Sequence, residues 1–318
     1  MKPSRSEFIH VRELRYHVRH WGNEDAPKLF MVHGWMDMSA SFQFLVDNLK
    51  QEWHVIAPDW RGFGLTQAAP GRSYWFPNYV ADLDAILYHY SGNDKVNLLG
   101  HSMGGNICSI YAGVRPEKIL KLVNLEGYGL PSTRPFDAPM RYRRWLDQLR
   151  NPPAPKTYAT KMDVASVLQK VNPRLSPERA DFLAEHWAAM KESGVWEILA
   201  DPMHRNSSPL LYRAEEALAC WKGITAPTLW VEAEFTDIWQ RLGPTWNAIN
   251  TPENVGESEE NRRRRLGHQE IFRAEFESRL NAIPNLTKKW IANTGHMLHH
   301  DQPEQVAQIV ETFLLGDA

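Results

Sequence analysis

Over the first 130 residues, short apolar runs alternate with stretches of helical periodicity. Residues 7–20 mix Phe8, Val11, Leu14 and Tyr16 with charged positions, which predicts an opening antiparallel pair of strands. Four brief apolar runs follow, at 28–34, 52–59, 95–100 and 119–127. Continuous runs of this length read as strands buried on both faces of a parallel sheet. The segments between them, 39–49, 79–90 and 102–114, read as helices. Strand–helix alternation of this kind predicts a doubly wound α/β sheet.

The pattern changes near residue 131. A proline-rich exit, Pro131 to Pro139, opens a region in which no strand signal is visible until about residue 220. Helices are expected at 141–149 and 163–171. Ser176, Pro177 and Glu178 read as a cap with proline at the first helical position, opening a helix over 179–190. Another is expected at 215–221. The expectation is therefore an all-helical insertion of about 90 residues, in keeping with the helical spacing. Strand character returns at 226–234 and 286–293, and 304–315 reads as an amphipathic helix. The polar stretch between them contains four consecutive arginines, Arg262 to Arg265, preceded by Glu257, Glu259 and Glu260, and reads as a solvated, salt-laced face. The organisation expected is a core over 1–130, a helical cap over 131–222 and the rest of the core over 223–318.

Composition narrows the function classes. Of 318 residues, 43% are hydrophobic and 23% charged, as in an ordinary globular protein with a large core. A net charge of −2 leaves no basic field for a polyanion, so nucleic acid is not expected as a partner. Cys108 and Cys220 are too few for a disulfide framework and too far apart for zinc-ligand spacing. The first residues carry no secretory apolar segment and no run is long enough for a membrane span, so the default compartment is the cytoplasm. Thirteen tryptophans are many for this length. They read either as a Trp-rich core or as walls of an apolar substrate cavity.

The chemistry centres on Gly100-His101-Ser102-Met103-Gly104, which follows an expected strand and opens an expected helix. That is the setting of a nucleophile elbow, in which a serine sits on a strained turn and glycines allow close packing. The helix N-terminus behind it adds N–H donors and a positive dipole end. A serine hydroxyl needs a base. His296 follows the last strand and should lie on the same sheet edge, which makes it the expected base. His299 and His300 make an H-x-x-H-H cluster with it, without the carboxylate spacing of a zinc helix, so no metal is expected. Oxyanion donors are expected from the N–H of Met103 and from the loop after His33-Gly34, with Trp35 first and Met36 second.

Met31-Val32-His33-Gly34-Trp35, Asp59-Trp60-Arg61-Gly62-Phe63-Gly64, Gly100-His101-Ser102-Met103-Gly104-Gly105 and Gly295-His296 stand in one order along the whole chain. Together they resemble the α/β-hydrolase superfamily, in its branch with a helical cap after the sixth strand. The resemblance implies a mostly parallel eight-stranded sheet, a Ser–acid–His triad and no cofactor. It implies a largely structural role for Arg61. It places the acid after the seventh strand, where Asp237 is the expected residue, with Glu126 at the end of the sixth strand, then Glu232 and Glu234, as the other candidates. Serine at position 102 disfavours the epoxide hydrolases and haloalkane dehalogenases of this fold, which use aspartate there. The stretch after Gly34 does not match the carbon–carbon bond hydrolases. The expected activity is hydrolysis of a small-molecule carboxylic ester or thioester. A cofactor-free haloperoxidase, or a ligand-binding receptor on the same scaffold, stands as the alternative. His33, Gly34, His101 and Tyr128 are expected to border substrate, with Trp145, Phe182 and Trp187 of the cap forming an apolar acyl pocket.

Overall fold

The computed structural model describes residues 1–236 and 274–316. The arginine run and Asp237 therefore lie outside the described residues. Eight strands form the central sheet in the order β1-β2-β4-β3-β5-β6-β10-β11. They are β1 (Ser4–Val11), β2 (Leu14–Trp21), β3 (Lys28–Val32), β4 (His54–Pro58), β5 (Val96–His101), β6 (Ile119–Leu125), β10 (Thr228–Phe235) and β11 (Leu286–Gly295). Only the β1/β2 and β2/β4 pairs are antiparallel; the other pairs run parallel. The eight-stranded, mostly parallel sheet expected from the sequence is present.

The two-residue period of a strand sorts the core into two layers. Phe30, Val32, Leu98, Leu122 and Trp230 pack on one face, against α2 (Phe76–Ser91), α3 (Met103–Val114) and α7 (Ala214–Lys222). Leu29, Met31, Leu99, Val123 and Val231 pack on the other, against α1 (Gln43–Asn48) and the C-terminal helix α9 (Pro303–Leu315). A short helix over 274–280, α8, adds Phe276 and Leu280 to the first layer. Because both faces are covered, these strands carry unbroken apolar runs rather than alternating ones.

Chain reversal sets where chemistry can happen. From β3 the chain moves outward to β4, then returns to the other side of β3 to lay down β5 and β6. The β3/β5 boundary is thus the switch point, where the loops after the two strands diverge and leave a crevice at their carboxyl ends. Gly34 follows β3 and Ser102 follows β5, so both sit at that crevice.

Between β6 and β10 lie α4 (Ala138–Arg150), α5 (Lys161–Val171), α6 (Pro177–Trp187) and α7, but the segment is not all helical. Strands β7 (Thr157–Tyr158), β8 (Ala188–Met190) and β9 (Trp196–Ile198) form a small antiparallel sheet in the order β7-β9-β8. The helix expected to reach residue 190 ends at Trp187, and a turn through Gly194, at φ 80°, folds β9 back on β8. Strands of two or three residues are too short to display a period, which is why the sequence did not reveal them. The end of the expected cap also differs. A Cβ on Gly113 of α3 would lie 1.7 Å from the Cys220 carbonyl oxygen, so α7 packs directly on the core helix. The inserted segment is tied to the core by Gly64 N–H to the Leu199 carbonyl at 2.7 Å and Asp201 N–H to the Gly62 carbonyl at 2.8 Å. Among the described residues no helix is long and apolar enough to cross a membrane.

Arg61 is structural, as the motif implied. Its Nε and Nη2 each donate to a different oxygen of the buried Asp82 carboxylate at 2.6 Å, and the Tyr16 hydroxyl donates to the same group. Removing one partner of a buried, bidentate pair leaves the other charge uncompensated. We expect Asp82→Asn to lower the unfolding free energy by about 3–5 kcal/mol, read as a reduced urea midpoint at unchanged m-value; a midpoint equal to wild type would show that the pair contributes nothing net.

Candidate active site

Ser102 joins β5 to α3 at φ 52°, ψ −115°, a backbone conformation costly for a residue with a side chain. The neighbouring glycines explain how the turn is held. A Cβ on Gly100 would lie 2.5 Å from the Gly104 carbonyl carbon, and one on Gly104 2.3 Å from the Val32 carbonyl oxygen. The strand and helix therefore approach backbone to backbone around the serine. Ser102 N–H bonds the Leu125 carbonyl at 2.8 Å, and its own carbonyl accepts from Asn106 N–H at 3.0 Å, the first bond of α3.

His296 follows β11, as expected, and its Nε2 lies 2.9 Å from Ser102 Oγ. For Nε2 to accept the serine proton, the ring must carry its own proton on Nδ1. Nδ1 lies 3.2 Å from Glu126 Oε2. Glu126 comes directly after β6, fully buried, at φ 59°. Its Oε1 accepts from Ala233 N–H at 2.8 Å and from the Tyr128 hydroxyl at 3.2 Å; its Oε2 also accepts from the Thr236 hydroxyl. A buried carboxylate with this many donors is matched to the charged, acceptor-only form. Among the described residues, then, the carboxylate at His296 is Glu126, the second candidate from the sequence. Asp237 lies outside them.

A cavity of about 1730 Å³ opens over these groups. Ser102, His296, Met103, Trp35, Gly34 and Tyr128 all border it. A side chain at Gly34 would be tight: its Cβ would lie 3.1 Å from His101 Nδ1 and 3.2 Å from Ser102 Cβ. Met36, the second oxyanion candidate, sits at φ 58° and its carbonyl accepts from the Trp187 indole N–H at 2.8 Å, which anchors the inserted segment to this loop. Trp145 and Trp187 border the cavity as expected. Phe182 does not; it packs on Phe44 at 5.5 Å between ring centres, because its position on α6 faces the core side.

One expected substrate contact, His33, is instead framework. The His33 ring is fully buried: Nδ1 bonds the Gly34 carbonyl at 2.8 Å and Nε2 accepts from Trp60 N–H at 2.8 Å. Both ring nitrogens shape the loop after β3 and neither is left for substrate. His101 does border the cavity, but its Nε2 donates to the His296 carbonyl at 2.8 Å. It positions the loop that carries His296.

Behind the base lies a buried polar cluster that sequence spacing did not predict. His101, His299 and His300 pack in series as tilted rings, with ring centres 4.4 and 4.3 Å apart. Ser41 bridges to them, with Oγ 2.5 Å from His300 Nε2 and donating to Asp37 Oδ2 at 2.8 Å. Burial pushes Asp37 up to about 7, and the Ser41 bond offsets this only in part. Burial pushes His300 down to about 3 and holds His299 well below the ordinary imidazole range. Asp37, His101 and His299 also bring three potential ligand atoms within 4.8 Å of one another, the one group among the described residues that could hold a metal ion. Asn124 was missed as well. It bonds Gly105, Ser109 and Gly127, knitting the end of β6 to α3. The signal available was an amide near the end of a strand that is apolar apart from Lys121.

The family described as alpha/beta hydrolase fold matches residues 27–231. A serine hydrolase-like protein of Danio rerio is 32% identical over 195 residues, 58% of this chain and 59% of that protein. Its counterpart in Homo sapiens is 31% identical over 107 residues, 33% of this chain and 52% of that protein. The chain thus spans a little over half the length of these relatives. Among solved structures, a thioesterase domain from the curacin biosynthetic pathway superposes at TM-score 0.74, covering 98% of this chain and 100% of that domain, at 22% identity. That likeness shows a shared fold.

The neutral histidines carry a pH consequence. Burial holds His33 at about 4 and His300 at about 3. An unfolded imidazole takes up its proton near ~6.5. Between these values the unfolded chain binds more protons than the folded one, so stability rises with pH there. The stabilisation is complete above ~6.5 and is lost as pH falls towards 4. We expect each ring to withdraw about 2 kcal/mol between pH 7 and 4.5. His300→Gln should flatten that slope in urea titrations; parallel slopes for the two chains would refute the assignment.

Proposed function

Because the chain belongs to the alpha/beta hydrolase fold family, we propose that it is a serine hydrolase of carboxylic esters, thioesters included, with apolar acyl groups. The observation that carries this reading is the 2.9 Å approach of His296 Nε2 to Ser102 Oγ, with Nδ1 directed at a buried carboxylate. In this mechanism His296 takes the Ser102 proton as Oγ attacks the acyl carbon, and the carboxylate stabilises the imidazolium that forms. His296 then gives that proton to the leaving alkoxide or thiolate. Water, deprotonated by His296, releases the acid from the acyl-enzyme.

The oxyanion is assigned to the N–H groups of Met103 and Trp35, which flank the serine on the α3 and β3 sides. The acid is assigned to Glu126, because its hydrogen bonds to β10 and to the residue after it hold it against His296. A serine nucleophile forms an acyl ester that water can resolve through the same base, which suits acyl transfer. The size of the cavity, about 1730 Å³, and the indoles of Trp145 and Trp187 in its wall support a bulky apolar substrate.

Hydrolysis of p-nitrophenyl esters from acetate to laurate tests this reading. We expect turnover by wild type, with Ser102→Ala lowering kcat by roughly 10⁴-fold or more. Glu126→Gln should lower kcat by about 10²–10⁴-fold with little change in KM, and Asp237→Asn should stay near wild type. The reverse pattern in those two variants would move the acid to Asp237. Absence of turnover at every chain length would refute the esterase reading itself.

A further inference from the structure

The chain carries a net charge of −2, yet residues 134–150 hold five arginines against two aspartates, Asp137 and Asp147. This segment is α4 and the turn before it. No residue of α4 is buried. Helices in water are held mainly by the packing of an apolar face, so a thirteen-residue helix with nothing buried has an apolar side still to be covered.

Part of that side is accounted for. Ala138, Tyr142, Trp145 and Leu149 line the active-site cavity. The remainder does not. Phe136 is 69% exposed, Met140 68% and Leu146 47%, and none of them borders the cavity. Phe136 lies in the turn before α4, and Met140 lies on the side of the helix continued by Arg143, Arg144 and Asp147. Leu146 lies between Arg143 and Arg150 at helical spacing. Arg143, Arg144 and Arg150 have no carboxylate partner among the described residues. Arg134 lies over the Phe136 ring at 4.4 Å.

We propose that the outward side of α4 docks on an anionic lipid surface. Unpaired guanidiniums interleaved with large exposed apolar side chains need a partner that supplies both negative charge and an apolar medium. A headgroup layer over acyl chains supplies both, with the arginine stems reaching up to the phosphates while Phe136, Met140 and Leu146 insert. A polyanion in water would satisfy the charges and leave the apolar groups wet. The helix that meets the lipid is also a wall of the catalytic cavity, so docking brings that cavity next to a reservoir of apolar molecules. The inference goes beyond the hydrolase reading and does not depend on it, since binding is measured without turnover.

The test uses the full chain carrying Ser102→Ala and sucrose-loaded vesicles of phosphatidylcholine, with and without phosphatidylglycerol. We expect sedimentation with the anionic vesicles only, weakening as salt rises. The double variants Arg143→Glu/Arg144→Glu and Met140→Gln/Leu146→Gln should each bind about tenfold more weakly or worse. In the Ser102 background they should keep wild-type thermal unfolding and short-ester hydrolysis, which shows that they fold. Equal binding by the variants, equal binding to neutral vesicles, or no binding at all would overturn the proposal. So would a dimer in sedimentation velocity that the same substitutions dissolve without any vesicle binding, because the face would then belong to a second copy of the chain.

Discussion

A buried carboxylate joins the parts of this molecule that matter for its chemistry. Glu126 is fully buried at the end of β6 and accepts from β10 through Ala233, from the residue after that strand through Thr236, and from the loop after β11 through His296. Taking a carboxylate out of water costs several kcal/mol unless donors replace the lost hydration. Those donors come from the ends of two other strands, β10 and β11, so the charge is tolerated only when the three strands are in register. The same requirement that makes Glu126 a candidate acid also holds β6, β10 and the His296 loop together. The Tyr128 hydroxyl completes the set from the start of the inserted segment.

The second constraint is steric. Ser102 occupies a positive-φ conformation because the strand before it and the helix after it leave no alternative route. Glycines at 34, 100 and 104 remove every Cβ that would push the loops apart. The serine oxygen is thereby fixed beside His296 before any substrate arrives. Preorganisation of this kind is what lets donors and base act without rearranging during the reaction.

Around this rigid centre the surroundings divide by polarity. On the core side, burial keeps His33, His299 and His300 neutral, and with His101 their nitrogens serve the backbone and Ser41. They fix loops at the cost of acid stability. On the solvent side, the inserted segment contributes aromatic walls and packs small apolar clusters of its own around Leu175, Leu183 and Val164. Trp187 is its anchor to the loop after β3. The core thus fixes the Ser102–His296–Glu126 geometry, and the insertion contributes Trp145 and Trp187 to the wall of the cavity above it.

Much of this was legible along the chain. Apolar runs bounded by helical stretches determined the parallel sheet, because burial on both faces leaves a direct trace in composition. The meeting of Ser102 with His296 was legible because a strand-to-helix turn of this kind needs glycines at fixed spacing and His296 follows the last strand at the same sheet edge. The acid was not, because a carboxylate can reach a histidine from either of two adjacent strand ends. Glu126 and Asp237 both satisfy the pattern, and only the packing of β6 against β10 brings Glu126 to His296. His33 and His101 were both expected to border substrate, yet a histidine beside a glycine looks the same along the chain whether its nitrogens face substrate or backbone. The β7-β9-β8 sheet left no period to read. Local pattern determines which elements form and which edge they expose. Which side chains meet across that edge depends on distances between residues far apart in sequence, and only the tertiary structure decides those.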